Sequence, residues 1–458
     1  MANNKNISRR GFLKTVVASG AVVAASSVGC KSPKEEALAQ KEVPTGEMTY
    51  RLNNKGEKIS ILGYGCMRLP TKKVEGTQDE TVIDQDMVNR HVDYALEHGV
   101  NYFDTSPAYC KGKSETAMGI ALSRHDRSKY YIATKLSNFA KSTWSYKESV
   151  KMYHKSFEEL QVEYIDYMLL HGIGMGGMEN LKARYLDNGV LDFLLKEREV
   201  GKIRNLGFSY HGDVECFDYL LAHHDKYKWD FVQIQMNYID WKHAARDANA
   251  EYLYAELEKR GIPVVIMEPL RGGALANVNY SILAMLKREN PEASAASWAF
   301  RYAGTPKGIL TVLSGMTYME HLQENIRTYS PLVELTEKEN EMMLRAGEMI
   351  LNYPLIGCTG CQYCMPCPYG IDIPAIFTHY NKCINEGNFT DNINDDNYAK
   401  ARKAFLVGYD RSVPKLRQAD HCIGCQKCEK HCPQSIPIAK NMRMIDKYVE
   451  SIKRNEKA

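Results

Sequence analysis

Asn101-Tyr102-Phe103-Asp104-Thr105-Ser106-Pro107-Ala108-Tyr109 opens as a short apolar run suited to a buried strand over Asn101 to Thr105. It closes on reactive side chains, with Asp104 and Tyr109 where the strand stops. Seven further runs match it: Ile59 to Met67, Tyr130 to Leu136, Ile165 to Leu170, Ile203 to Ser209, Phe231 to Met236, Pro263 to Met267 and Gly308 to Leu313. Helical patterns separate them, among them Glu148 to Leu160, Val214 to His223 and Glu251 to Arg260, the last ended by Gly261. Eight β-α units predict an α/β fold, a (β/α)8 TIM barrel over residues 48–335. The other arrangement, an open doubly wound sheet, would carry a Gly-x-Gly-x-x-Gly turn after an early strand, and none follows one here.

Chemistry in such a barrel sits where strands end at their C-terminal side. Those ends carry Asp104 and Tyr109 after the second strand, Lys135 after the third and His171 after the fourth. Reducing a carbonyl needs a hydride to carbon and a proton to oxygen, so an acid must lie within hydrogen-bond reach of that oxygen. Tyr109 is the expected acid, with Lys135 lowering its pKa, Asp104 holding the lysine as an ion pair and His171 orienting the carbonyl oxygen. Singly, each has a plainer reading as a cap, a packing residue or a satisfied core histidine; together they form a proton-transfer set.

Here the sequence resembles the aldo/keto reductase superfamily, in its branch with a C-terminal ferredoxin-like domain. Asn101 to Tyr109 is similar to the family's Asp-to-Tyr segment, Gly112-Lys113-Ser114-Glu115 to the turn after it, and Leu169-Leu170-His171 to its histidine motif. The resemblance implies NAD(P) as cofactor. Gly207 to His211, with Ser209, and Gln233 would face the nicotinamide carboxamide; Tyr210 stands where the family has Asn, and His211 or solvent would take its place. Glu268, Pro269, Leu270, Arg271, Gly272 and Gly273 would lie near the pyrophosphate. Ser314 and Gly315, with Glu324 and Asn325, would hold the adenosine. A 2′-phosphate needs cations, and Gly315 and His321 stand where NADP-specific members carry Lys and Arg, which weakens the preference for NADP.

The chain's last section, residues 336–458, is organised by cysteines. Cys422, Cys425, Cys428 and Cys432, followed by Pro433, read C-x2-C-x2-C-x3-C-P, the spacing that holds a [4Fe-4S] cluster. Cys358, Cys361, Cys364 and Cys367, followed by Pro368, repeat it with one residue fewer before the last cysteine. A ferredoxin-type exchange would put Cys358, Cys361, Cys364 and Cys432 on one cluster and Cys422, Cys425, Cys428 and Cys367 on the other. Two zinc sites or a disulfide framework are the competing readings. Of the remaining cysteines, Cys66 and Cys110 stand near strand ends and suit a disulfide, a redox-responsive thiol pair or plain packing. Met175 and Met178, in a glycine-rich loop after His171, either shape the substrate mouth or reflect ordinary loop variation.

The N-terminus reads as targeting sequence. Ser8-Arg9-Arg10-Gly11-Phe12-Leu13-Lys14 with the apolar stretch Val16 to Val28 forms a twin-arginine signal over residues 1–29, a route suited to a folded protein carrying its cofactors. Ser27-Val28-Gly29-Cys30 resembles a lipobox, so Cys30 is the expected lipid anchor and residues 30–47 the tether, which places the protein in the periplasm or cell envelope. The net charge of +3 resides in the signal: without Lys5, Arg9, Arg10 and Lys14 the remaining chain is nearly neutral. Composition gives no sign of nucleic-acid binding, and no later window suits a membrane span. The expected partners are a small carbonyl or alcohol substrate and a redox partner that exchanges electrons with the clusters. Hydride moves as two electrons and clusters carry one each, so such a protein has to split the pair, unless the barrel is a degenerate module that only transfers electrons or binds cofactors.

Overall fold

The computed structural model describes residues 46–74, 76, 81–390 and 392–455; the twin-arginine motif, Cys30 and nearly all of the tether lie outside them. Eight parallel strands close into a barrel among the described residues: β1 (Leu62–Gly65), β2 (Tyr102–Asp104), β3 (Tyr131–Leu136), β4 (Ile165–Ile173), β5 (Ile203–Tyr210), β6 (Phe231–Gln235), β7 (Val264–Met267) and β8 (Ile309–Ser314). They follow chain order round the barrel, and β8 closes on β1 through Val312 opposite Leu62 and Ser314 opposite Tyr64. Strands enclosed on both faces are written as unbroken apolar runs, and all nine residues of β4 are buried.

The expected first strand is broken in two. Lys58–Ser60 pairs with Tyr50–Leu52 as a hairpin, and only Leu62–Gly65 joins the barrel. Ile59 from that hairpin packs with Tyr102, Ala133, Tyr167, Leu169, Phe231, Val265 and Leu310. These inward side chains of the strands fill the barrel, as a packed core rather than a pore.

The main helices are α1 (Gln85–Glu97), α2 (Ser114–Leu122), α3 (Tyr146–Leu160), α4 (Val190–Glu199), α5 (Val214–Ala222), α6 (Ala250–Glu258), α7 (Tyr280–Glu289), α8 (Ala295–Gly304), α9 (Met319–Thr328), α10 (Glu337–Leu351), α11 (Ile373–Asn385), α12 (Tyr398–Ser412) and α13 (Ile438–Arg454). Helix α10 starts at a capping box, Thr336 with Glu339, whose carboxylate also pairs with Arg301 on α8 at 3.1 Å. Its Met343, Ala346 and Ile350 pack against Leu286 and Trp298, so α10 rests on the barrel. The cysteine motifs follow it. Helices α11 to α13 supply Phe377, Phe405, Met442 and Tyr448 to a separate core that also takes in Cys432.

Candidate active site and cluster centres

Asp104 ends β2 and Lys135 sits one residue before the end of β3, so the paired strands bring the two side chains together. Lys135 Nζ donates to Asp104 Oδ1 at 2.5 Å and to the Thr105 carbonyl at 2.9 Å, with both side chains buried. Burial pushes the carboxyl up and the ammonium down, each resisted by the other's charge. Tyr109 follows in the loop after β2, its ring centroid 4.8 Å from Lys135 Nζ. Cys110 and Lys111 next to it both hold left-handed backbone angles, φ 50° and 56°, costly for residues with a Cβ.

His171 lies within β4, at a register break between Leu170 and Ile173 that turns the strand at the barrel mouth. Its ring stands edge-on to Tyr109, centroids 5.9 Å apart. Nδ1 lies 2.6 Å from Ser137 Oγ, while the buried Arg184 donates to the His171 carbonyl at 2.6 Å. Burial, with Lys135 and Arg184 nearby, holds the imidazole neutral. Asp104, Tyr109, Lys135 and His171 therefore converge.

The electrostatics differ from expectation in one respect. Burial pushes the Tyr109 phenol well up, with Tyr363 and Asp104 acting the same way. The pull of the lysine expected to lower it is outweighed by burial and by Asp104 beside it. Tyr109 is thus a protonated phenol lining a cleft.

The cysteines group by exchange. Cys358, Cys361, Cys364 and Cys432 line one small cavity, while Cys428 lies near Cys367 and Cys422. Burial raises the thiols, Cys361 and Cys364 to about 12, a set that thiolate-bound iron would stabilise. The Gly360 N–H points at Cys358 Sγ at 3.4 Å. Both motifs share one backbone: Gly360 and Gly424 at φ 63° and 75°, then Gln362 and Gln426 at φ 64° and 57°. No three His, Cys, Asp or Glu of the described residues stand close enough to hold a single ion. In a cubane each thiolate binds a different iron, so separated sulfurs suit it.

The aldo/keto reductase family model matches residues 61–346, and a 4Fe-4S dicluster domain model matches residues 357–436. The chain belongs to the aldo/keto reductase family. It is similar to L-galactose dehydrogenase of Arabidopsis thaliana, 27% identical over 62% of this chain and 88% of that protein. It is also similar to D-arabinose 1-dehydrogenase of Saccharomyces cerevisiae, 35% identical over 26% of this chain and 35% of that protein. Solved structures with the same fold include an aldo-keto reductase from Bacillus halodurans in its holo form, with 22% identity and a TM-score of 0.52 over 66% of this chain and 96% of that one. Another is the aldo-keto reductase of Klebsiella pneumoniae in complex with NADPH, with 18% identity and a TM-score of 0.52 over 66% and 95%. The chain is an oxidoreductase barrel carrying a 4Fe-4S dicluster domain.

In this aldo/keto reductase several of the residues expected to bind a dinucleotide bond to other protein groups, while the Gln233 amide oxygen does not. Ser209 Oγ accepts from Gly172 N at 3.0 Å, and Tyr210 donates to the Gly212 carbonyl at 2.6 Å while packing on Phe217. Gln233 is buried, its Nε2 near Met267 Sδ and its Oε1 without a partner. Ser314 Oγ accepts from Asn325 at 3.0 Å, with Glu324 half-buried beside it. Gly315 lies under the Arg68 side chain. Arg271 reaches Asp240 at 3.5 Å, and Glu268, its carboxyl raised by burial against the pull of Arg68, holds φ 58°. Pro269 and Leu270 complete that turn. A Cβ on Gly272 would overlap the Thr359 carbonyl oxygen. The stretch expected to hold pyrophosphate is thus met by the backbone before Cys361.

Sequence reasoning missed Arg68, Ser137, Arg184 and Tyr363. The Tyr363 hydroxyl lies 3.3 Å from His171 Nε2, and its ring packs on Phe139 at 5.7 Å. One signal was available: between otherwise matching Gly-Cys-Gln-x-Cys segments, the first motif has Tyr363 where the second has Lys427. Cys66 and Cys110 are both free thiols, the latter donating to the Cys66 and Met67 carbonyls at 3.5 Å. Burial raises both, which disfavours their thiolates. Met175 lines the cleft and Met178 packs against the barrel core.

Proposed function

We propose that this chain is an exported iron-sulfur oxidoreductase that interconverts a small carbonyl and its alcohol at the barrel mouth, in electronic contact with a redox partner through its dicluster domain. The observation that carries the reading is the convergence of Asp104, Lys135 and His171 behind Tyr109, which lines a cleft that the first cysteine loop also borders. The Tyr109 phenol, kept protonated, donates to the carbonyl oxygen; His171, kept neutral with Nδ1 on Ser137 Oγ and Nε2 on the Tyr363 hydroxyl, holds that hydroxyl at the cleft wall. Lys135, fixed by Asp104, presents a cation to the Tyr109 ring and steadies charge developing on the oxygen. Cys358, Cys361, Cys364 and Cys432 would hold one cluster and Cys422, Cys425, Cys428 and Cys367 the other. When bound, such clusters supply single electrons.

The cleft lining favours an acid-bearing substrate. Lys111, Lys113, Lys141, Arg246, Arg417 and Lys430 border it against Glu179, Asp213 and Asp372, and a cleft of one dominant sign concentrates the opposite charge. Export by the twin-arginine route and lipid attachment at Cys30 complete the proposal, supported by the motifs at residues 8–14 and 27–30.

The test is Tyr109→Phe in anaerobically purified protein containing its clusters, assayed with a reduced one-electron dye and a panel of oxo-acids. Loss of carbonyl reduction by about 10²-fold or more is expected. Unchanged turnover would sink the assignment and favour a barrel whose site is idle.

A further inference from the structure

The cluster loop does more than border the cleft. Gly357 lies against Arg271 Nη2, 3.3 Å from where its Cβ would be, and the Thr359 carbonyl sits in the space left by the missing Cβ of Gly272. Arg68 Nη2 donates to that carbonyl at 2.6 Å, and its aliphatic stem covers Gly315. Further along, Tyr363 reaches His171. One continuous segment therefore runs from the β7 loop, past the β8 loop, to the catalytic histidine.

We infer that Gly357–Tyr363 is the permanent occupant of the barrel's dinucleotide groove, so that the cluster-loaded protein has no nicotinamide site and the first cysteine loop faces the reacting centre instead. The segment is not free to swing aside. Cys358, Cys361 and Cys364 would be fixed to one cluster together with Cys432, which belongs to the second motif. That motif is itself docked on the barrel: Gln434 Nε2 donates to Gln235 Oε1 at 2.9 Å and Arg246 Nε to Ser435 Oγ at 2.6 Å. Admitting a dinucleotide would mean parting these contacts as well as the two at Arg68 and Tyr363. Carbonyl reduction takes two electrons and two protons. With no hydride carrier in the groove, both electrons come singly from an external one-electron carrier of ferredoxin or flavodoxin type, and the protons come from the phenol and solvent. The occupancy of the groove rests on the proposed cluster ligation, and the source of the electrons rests also on the proposed carbonyl chemistry.

It is tested without turnover. Anaerobic, iron-replete protein is titrated with NADH and NADPH, following nucleotide fluorescence, and the 357–363 amides are followed by hydrogen exchange. No saturation is expected up to about 1 mM, the upper end of ordinary enzyme affinities, and amide protection should be the same with and without nucleotide. Gly272→Ala, which places a methyl against Thr359, should speed exchange in 357–363 at least tenfold with iron content unchanged. Arg68→Gln, which removes the bond to Thr359 without burdening a left-handed residue, should do the same if the alanine variant does not fold. Micromolar binding of either nucleotide to the unaltered protein would overturn the inference, as would unchanged exchange of 357–363 in a folded variant.

Discussion

Replacing Lys135 with Met tests whether the buried pair at the barrel mouth is held by charge. Lys135 Nζ has no solvent exposure and Asp104 almost none, and Asp104 Oδ2 has no hydrogen-bond partner. The lysine thus supplies nearly everything that offsets the carboxylate's loss of water. Removing one member of such a pair costs about 3–5 kcal/mol, because a buried charge is left uncompensated. At roughly 1 °C per kcal/mol for a chain this large, Lys135→Met should lower Tm by roughly 3–6 °C. The double variant Asp104→Asn with Lys135→Met buries no charge and should recover more than half of that loss, since apolar or neutral replacement of a buried pair is close to neutral. The assay is anaerobic differential scanning calorimetry at one scan rate, with iron content checked in each variant. Carbonyl reduction should stay lost in both variants. A double variant as unstable as Lys135→Met would refute the reasoning and make lost packing, not charge, the cause.

Other outcomes follow from single side chains. Burial raises the Glu115 carboxyl to about 7 against 4.5 for the ordinary group. The native state therefore holds a proton that the unfolded chain releases: the cost is absent below about pH 4.5, grows as pH rises, and is complete above about 7, near 3 kcal/mol. Glu115→Gln, which can still accept from Thr134, should gain in Tm over the parent between pH 5 and pH 8, and a constant gap would refute this. Arg184→Lys cannot span the His171 carbonyl and the Tyr185 hydroxyl, which the guanidinium reaches at 2.6 and 2.9 Å; kcat should fall at least tenfold with KM changed little, and unaltered kcat would count against His171 needing that support. Cys66 and Cys110 should label in denatured protein without prior reduction and resist the label when folded; failure to label on denaturation would mean a disulfide.

The barrel was legible because buried parallel strands leave a strong signature. All eight apolar runs became strands, and the four reactive residues at their ends came together. Local geometry was less visible. The run from Ile59 to Met67 reads as one strand, yet it splits at Ile61, since a hairpin residue and a barrel residue are equally apolar when both face a core. The extension of β4 past His171 depends on a register break at Gly172, which periodicity does not record. The effect on Tyr109 was misjudged because sequence places Lys135 near the phenol but cannot weigh its cation against Asp104 and against burial.

What sequence could not supply was the position of one domain against the other. Gly272 was read as the glycine of a phosphate loop, and the reading is physically sound, since a missing Cβ lets a ligand come close. A missing Cβ serves any close neighbour, however, and here the neighbour is the Thr359 carbonyl. The same ambiguity covers Arg68, whose guanidinium suits an anion but bonds a peptide oxygen. The mismatch between a two-electron hydride and one-electron clusters was visible from composition and motif alone. What neither showed was the place of Tyr363, an aromatic side chain between two cysteines whose importance depends wholly on what stands 3.3 Å away. With that contact in place, the first cysteine loop becomes a wall of the cleft beside Tyr109.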